Sequence, residues 1–220
     1  MNPFLRWFLD LIYPPKCMLC QRLLENAEQT LCAKCGSNLP EFDGPLRKVA
    51  YFEKAVAPFF YEEPIRDAIL RFKFHGIQTY AGQFARWMAV WVRDHLEGEY
   101  DVVSWVPCSK RRRWTRGFDQ AELLARELAA CLNAPVCRTL QKVKHNPKQS
   151  TQSDAARLRA NVLGVYRSVL PQEWVGKRIL LVDDVLTTGS TLSECGKVLR
   201  MAGSGDLVCA VIAASKREKE

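Results

Sequence analysis

The run Arg178-Ile179-Leu180-Leu181-Val182-Asp183 is the most apolar strand candidate in the chain. It leads into Asp184 and then into Thr187-Thr188-Gly189-Ser190-Thr191. A strand without polar alternation reads as buried on both faces, which happens where helices cover a parallel sheet. The rest of the chain supplies such covers. Residues 49–61 read as extended. Pro64 opens a helix whose face is Ile65, Ala68, Ile69 and Phe72, ending near Gly76. A longer helix over 79–96 repeats Phe84, Ala85, Met88, Val92 and Leu96 at helical spacing. Val102–Val106 is a strand stopped by Pro107, and a helix over 118–132 buries Ala121, Leu124, Ala125, Leu128 and Leu132. After the hydroxyl-rich turn come a helix at 190–202 and a last strand, Leu207 to Ala213. This alternation predicts an α/β fold, a parallel sheet flanked by helices on both faces.

The chain has 220 residues, enough for one ordinary domain and a small appendage, and the sequence divides into residues 1–44 and 45–220. Apolar residues are 48% and charged residues 25%, which excludes a disordered or fibrous chain. Charge interrupts the apolar runs too often for any to span a bilayer. The net charge of +8 favours phosphorylated or polyanionic partners and leaves the fold undecided.

Cysteine placement is lopsided. Of nine, four fall within residues 17–35 as Cys17-x2-Cys20 and Cys32-x2-Cys35. Two thiolate pairs at this spacing make two knuckles, and together they complete the tetrahedral sulfur cage that zinc prefers. Gly36 is expected to give the second knuckle its backbone freedom. With four protein ligands no position is open to substrate, so the zinc is structural. An odd total with no cleavable leader argues against a secreted disulfide framework, and the expected compartment is the cytoplasm, with peripheral attachment to the inner face of the membrane left open. Residues 1–13 read as a short amphipathic helix ended by Pro14-Pro15. Cys195 and Cys209 fall on core faces.

The acid doublet and its turn carry the chemistry. A buried strand delivers Asp183 and Asp184 at its carboxyl end, where open parallel sheets bind ligands. Backbone N–H groups, hydroxyls and the positive end of a helix dipole suit a phosphate there, and Gly189 lets the backbone approach it closely. The two acids can accept hydrogen bonds from a pair of sugar hydroxyls, or hold a divalent cation through water. The alternative is an ordinary capped helix with incidental acids, but paired carboxylates are costly to bury without a partner.

Two basic stretches accompany the motif. Residues 106–120 (VPCSKRRRWTRGFDQ) hold five basic residues against one acid and read as a loop that can neutralise a diphosphate, with Lys110, Arg111 and Arg116 as its candidates. Residues 142–152 read as a mobile lid carrying Lys142, Lys144, Lys148 and Gln149.

Residues 179–191 resemble the thirteen-residue signature of type I phosphoribosyltransferases. That resemblance implies that Asp183 and Asp184 contact the ribose 2′- and 3′-hydroxyls of 5-phosphoribosyl-1-pyrophosphate (PRPP). It also implies that Thr187, Thr188, Gly189, Ser190 and Thr191 hold the 5′-phosphate, and that Mg²⁺ accompanies the ligand. The order of zinc ribbon, Val-Pro with Arg-Gly-Phe-x-Gln, Pro-x-Gln and the Asp-Asp-x-x-Thr-Thr-Gly motif is similar to the ComF/GntX family, with Asp119 here where that pattern usually has Asn. Membership implies a phosphoribosyltransferase-like protein in DNA uptake or the use of external DNA, of unknown acceptor. The rival is an adaptor for single-stranded DNA or for a DNA-translocating ATPase of the import machinery, supported by Trp114 and Phe118 among the basic residues. Core packing on the apolar face of its helix is the other reading of Phe118.

Overall fold

A computed structural model describes residues 14–26, 28–43, 48–143 and 164–216. The N-terminal helix expected over 1–13 lies outside them. In chain order the elements are α1 (Ala33–Gly36), β1 (Lys54–Val56), β2 (Phe59–Phe60), α2 (Ile65–Phe74), α3 (Tyr80–Leu96), β3 (Val102–Trp105), α4 (Lys110–Arg116), α5 (Gln120–Leu132), β4 (Leu140–Lys142), β5 (Tyr166–Ser168), a 3-10 turn (Gln172–Trp174), β6 (Ile179–Leu186), α6 (Ser190–Met201) and β7 (Leu207–Ala214).

The main sheet is parallel in the order β1-β7-β6-β3, with β2 continuing the β1 edge along β7. Register follows from apolar matching: Leu180 faces Val208, Leu181 faces Cys209 and Val182 faces Ala210 across β6 and β7. Alternate residues divide between two cores, as the pleat requires. Leu180, Val182, Val208, Ala210 and Ile212 pack with the buried faces of α2, α3 and α5. Ile179, Leu181, Leu207, Cys209 and Val211 pack with Leu192, Cys195 and Leu199 of α6. The helices therefore cover both faces, and Cys195 and Cys209 are buried as the sequence implies.

Three expectations are corrected. First, strand β6 does not stop at residue 183 but runs to Leu186, because Asp183, Val185 and Leu186 go on pairing with Val211, Ala213 and Ala214. Second, residues 106–120 are not a loop throughout. Ser109 caps the N–H of Arg112 and Gly117 ends the turn at φ 80°, so residues 110–116 close into α4. Third, Gly36 sits in right-handed α1, and the left-handed residue of the ribbon is Gln21, at φ 63° directly after Cys20.

The ribbon rests on the first core. Cys17, Met18 and Leu19 are buried with the side chains of α2 and α3. The Arg71 guanidinium donates to the carbonyls of Met18 and Leu19 at 2.9 and 2.6 Å, and Gln21 Nε2 donates to the Tyr80 hydroxyl at 3.0 Å. Among the described residues no helix is long and apolar enough to cross a membrane.

Candidate functional site

The carboxyl ends of β6 and β3 open into a cavity of about 470 Å³. Asp183, Asp184, Thr187 and Thr191 line one side of it; Lys73, Arg112, Arg116 and Lys142 bring positive charge to the others. Thr188, Gly189 and Ser190 complete the turn without lining the cavity. Thr188 Oγ1 lies 2.8 Å from Ser190 Oγ, and the Ser190 N–H points at Thr188 Oγ1 at 3.4 Å, so the hydroxyls brace the bend. Gly189 is at φ 81°, and a Cβ there would meet Leu186 and Val49 only at ordinary contact distances. On the protein side, left-handed backbone explains this glycine, where the sequence suggested close approach. It sets the start of α6, which has no side-chain cap at Gly189.

The two acids differ. Asp183 Oδ1 accepts the N–H of Asp184 at 2.8 Å. Burial, and next the charge of Asp184, push its carboxyl up to about 8. Asp184 Oδ1 instead receives Lys73 Nζ at 2.8 Å, with both side chains less than one-fifth exposed. Lys73 comes from the last turn of α2. Its neighbour Phe72 is fully buried against Phe84 and Phe118, with ring centroids 5.9 Å away in each case. Phe118 is thus a packing residue. Lys73 was not singled out from sequence; alternating Phe72-Lys73-Phe74 at a helix end carries no motif.

The basic stretch distributes its charges over three recesses. Arg112 and Arg116 reach the cavity of the acid doublet. Lys110 lines a neighbouring recess of about 390 Å³ with Arg113, Arg138 and Lys142. Arg111 lines a third, of about 670 Å³, which shares Lys73, Phe74, Arg112 and Arg116 with the main cavity. Arg116 is fixed twice: Nη1 donates to Gln120 Oε1 at 2.8 Å, and the guanidinium lies 4.7 Å from the Phe74 ring centroid. Trp114 projects from α4 with 88% of its surface exposed.

The β4–β5 hairpin, which the sequence did not announce, brings Lys142 and Tyr166 to the cavity rim. Lys142 Nζ donates to the Tyr166 hydroxyl at 3.0 Å, and burial pushes that phenol well above its ordinary value. Of the expected lid only Lys142 is described; Lys144, Lys148 and Gln149 lie outside the described residues.

Magnesium at the doublet meets an obstacle. It needs near-octahedral oxygen ligands at about 2.0–2.1 Å. One carboxylate oxygen of each aspartate is already engaged, by the Asp184 N–H and by the Lys73 ammonium. A metal bound to the two remaining oxygens would lie beside that ammonium, whose charge opposes it, so the doublet is a poor fit for a resident Mg²⁺.

The four ribbon cysteines do fit zinc. Their sulfurs lie within 4.8 Å of one another, and Cys20 Sγ is 3.7 Å from Cys32 Sγ. A tetrahedral cage with Zn–S bonds of about 2.3 Å has edges of about 3.8 Å. Burial raises the Cys17 thiol, but N–H groups of Cys20, Cys32 and Leu19 directed at its sulfur outweigh this and bring it down to about 6. The cluster thus presents a thiolate to the metal.

Comparison with known proteins agrees with this architecture. Residues 115–220 match the phosphoribosyl transferase domain family and residues 8–47 the double zinc ribbon domain family. The chain is 34% identical over 197 residues to competence protein F of Haemophilus influenzae, covering 85% of each protein. It is 31% identical over 201 residues to the DNA utilization protein YhgH of Escherichia coli K12, covering 86% of this chain and 85% of that one. It is 25% identical over 196 residues to competence protein ComFC of Bacillus subtilis, covering 85% and 78%. Among solved structures, the glutamine PRPP amidotransferase of B. subtilis aligns with 61% of this chain and 26% of its own, at 22% identity and a TM-score of 0.45.

Proposed function

We propose, from the premise that the chain belongs to the competence protein F and DNA utilization protein family, that its phosphoribosyl transferase-like domain binds PRPP at the end of β6. The observation that carries this reading is the division of charge in one cavity. Asp183 and Asp184 face Arg112, Arg116 and Lys142 across about 470 Å³, with Thr187 and Thr191 beside the acids. A ligand with two vicinal hydroxyls, a terminal phosphate and a diphosphate has the complementary pattern. The uncommitted oxygens of Asp183 and Asp184 accept the two hydroxyls, and the turn at 187–191 and the first N–H groups of α6 take the 5′-phosphate. Arg112 and Arg116 draw the diphosphate through paired donors. Mg²⁺ enters as part of the ligand, on the diphosphate. Lys110 and Arg111 extend the positive charge into the neighbouring recesses, and Lys142 stands at the cavity's rim; Lys144, Lys148 and Gln149 lie outside the described residues.

The reaction this arrangement serves is transfer of the phosphoribosyl group. The bond from ribose C1 to the diphosphate oxygen breaks, that oxygen keeps the electron pair, and an acceptor lone pair forms the new bond to C1. Positioning by the turn and neutralisation of the departing diphosphate by Arg112 and Arg116 supply the catalysis. The biological setting is DNA uptake or the use of external DNA, in a cytoplasmic protein organised as a ribbon unit (1–44) and a catalytic unit (45–220). Titration calorimetry with Mg-PRPP tests the reading. Saturable binding is expected, and it should vanish in the double variant Asp183→Ala/Asp184→Ala. Unchanged affinity in that variant overturns the site.

A second reading rests on Trp114. An indole 88% exposed in a helix with five cationic residues is placed to stack with an unpaired base. In this reading the protein is an adaptor between single-stranded DNA and a DNA-translocating ATPase, and the sugar-phosphate site regulates it.

A further inference from the structure

Lys73 is fixed at both ends. Its main chain closes α2, where Gln120 Nε2 donates to the Lys73 carbonyl at 3.4 Å. Its ammonium lies 2.8 Å from Asp184 Oδ1, with 19% of the lysine and 17% of the aspartate side chain exposed. Gln120 is itself held by Arg116, so the Lys73 backbone, Gln120 and the diphosphate-facing arginine form one hydrogen-bonded series. A pair this shielded is costly to desolvate, and breaking it strands a charge with little access to water. The allocation of oxygens is equally specific. The doublet has four carboxylate oxygens; the Asp184 N–H takes one and Lys73 another. Two remain without such a partner, one on each aspartate, and each can accept a hydroxyl. A divalent metal at these oxygens would lie beside the Lys73 ammonium, whose like charge opposes it.

We infer that Lys73 is a positioning residue that acts as the doublet's built-in cation: it holds Asp184 and neutralises it where a divalent metal would otherwise sit, so that the phosphoribosyl part of the ligand binds here without metal. This inference rests on the phosphoribosyl reading above and adds to it a division of labour. Metal is needed only by the diphosphate, while the sugar hydroxyls meet carboxylates already balanced by a lysine.

Ribose 5-phosphate, which lacks the diphosphate, separates the two halves. Its affinity is measured by titration in chelator-free buffer without magnesium, so that the ribbon keeps its metal, and again with magnesium. Wild-type protein is expected to bind equally, within about twofold, in both buffers. Lys73→Met is expected to weaken binding at least about tenfold without magnesium, with partial recovery when magnesium is added. Lys73→Arg, which keeps the charge and the donor, is expected to retain binding. A wild type that needs magnesium to bind ribose 5-phosphate overturns the inference, and this measurement stands even if the methionine variant folds poorly. Metal-independent binding that persists unchanged in a folded Lys73→Met also overturns it. If the wild type binds neither ribose 5-phosphate nor Mg-PRPP in either buffer, the phosphoribosyl reading itself falls and takes this inference with it.

Discussion

The Asp119 carboxylate holds the main chain of Cys108 across eleven residues: its Oδ2 accepts the Cys108 N–H at 2.8 Å, while Oδ1 accepts those of Ala121 and Glu122 at 3.2 and 3.4 Å. One buried side chain thus caps α5 and anchors the segment entering α4. Burial, and next the charge of Asp119, push the Cys108 thiol up to about 11. In Asp119→Asn the amide keeps one acceptor and loses the charge, so Cys108 should become more acidic. Alkylation followed peptide by peptide near pH 8.5 should run several-fold faster at Cys108 than in the wild type. Asp119→Ala removes cap and anchor together and should cost about 1–2 kcal/mol in denaturant unfolding. An unaltered labelling rate in the asparagine variant would show that the carboxylate charge does not govern the thiol.

Asp183 links stability to pH in the direction opposite to an ordinary carboxylate. Its folded value of about 8 lies above the ordinary 3.8, so the folded chain holds a proton that the unfolded chain releases. The stability this confers is fully present below about pH 4 and is lost as pH rises to about 8. Asp183→Asn cannot lose that proton. Its melting temperature should match the wild type near pH 4 and exceed it by about 2–8 °C at pH 8.5, equivalent to about 1–2 kcal/mol for a domain of this size. A constant difference between the two pH values would contradict the shift. PRPP binding, which uses the ionised carboxylate as acceptor, should tighten as pH rises through about 8.

Removing the ribbon's metal should reach the first core. Met18 and Leu19 are buried with α2 and α3, and their carbonyls are held by Arg71. Purified protein should carry one zinc per Cys17/Cys20/Cys32/Cys35 set by elemental analysis. A strong chelator should expose these two side chains and lower the unfolding midpoint, and Cys20→Ser should do the same. A chelated protein with the same midpoint would make the ribbon an ornament on a self-sufficient domain.

Trp114 is 88% exposed and, among the described residues, belongs to neither core, so its replacement should leave folding intact. If α4 binds single-stranded DNA, Trp114→Ala should lower affinity for an oligonucleotide by about 1–3 kcal/mol, the usual contribution of one stacked base, with an unchanged melting temperature. Fluorescence anisotropy at several salt concentrations checks this, and equal affinities would remove the second reading's main support.

The sheet was legible because its central strands β6 and β7 open on long apolar runs, and the helices because their buried residues recur every three or four positions. Strand β6 was read three residues short: Asp184 to Leu186 look like the start of the turn, and only continued pairing with β7, up to Ala213 and Ala214, keeps them extended. Helix α4 was hidden by its charge, for it has no apolar face. Its signals were Ser109 and Gly117, a start and a stop with seven residues between them. The zinc cluster and the acid doublet could be read directly, since each is a local spacing. Lys73 could not, because its meaning depends on a partner 111 positions later. Nor could the sharing of tasks among the basic residues, which is decided by the turn of α4 that brings Arg112 and Arg116 to the acid doublet's cavity and Lys110 and Arg113 to the neighbouring recess.

The strand that closes the main sheet is the latest of its strands in sequence. β7 lies between β1 and β6 and pairs with both, and with β2. During synthesis every other strand leaves the ribosome first and waits with open backbone edges until residues 207–214 arrive, so the ribbon can mature early while the sheet cannot. A nascent chain arrested a few residues short of that strand therefore holds finished helices around an unfilled centre, and this is the species a chaperone would meet.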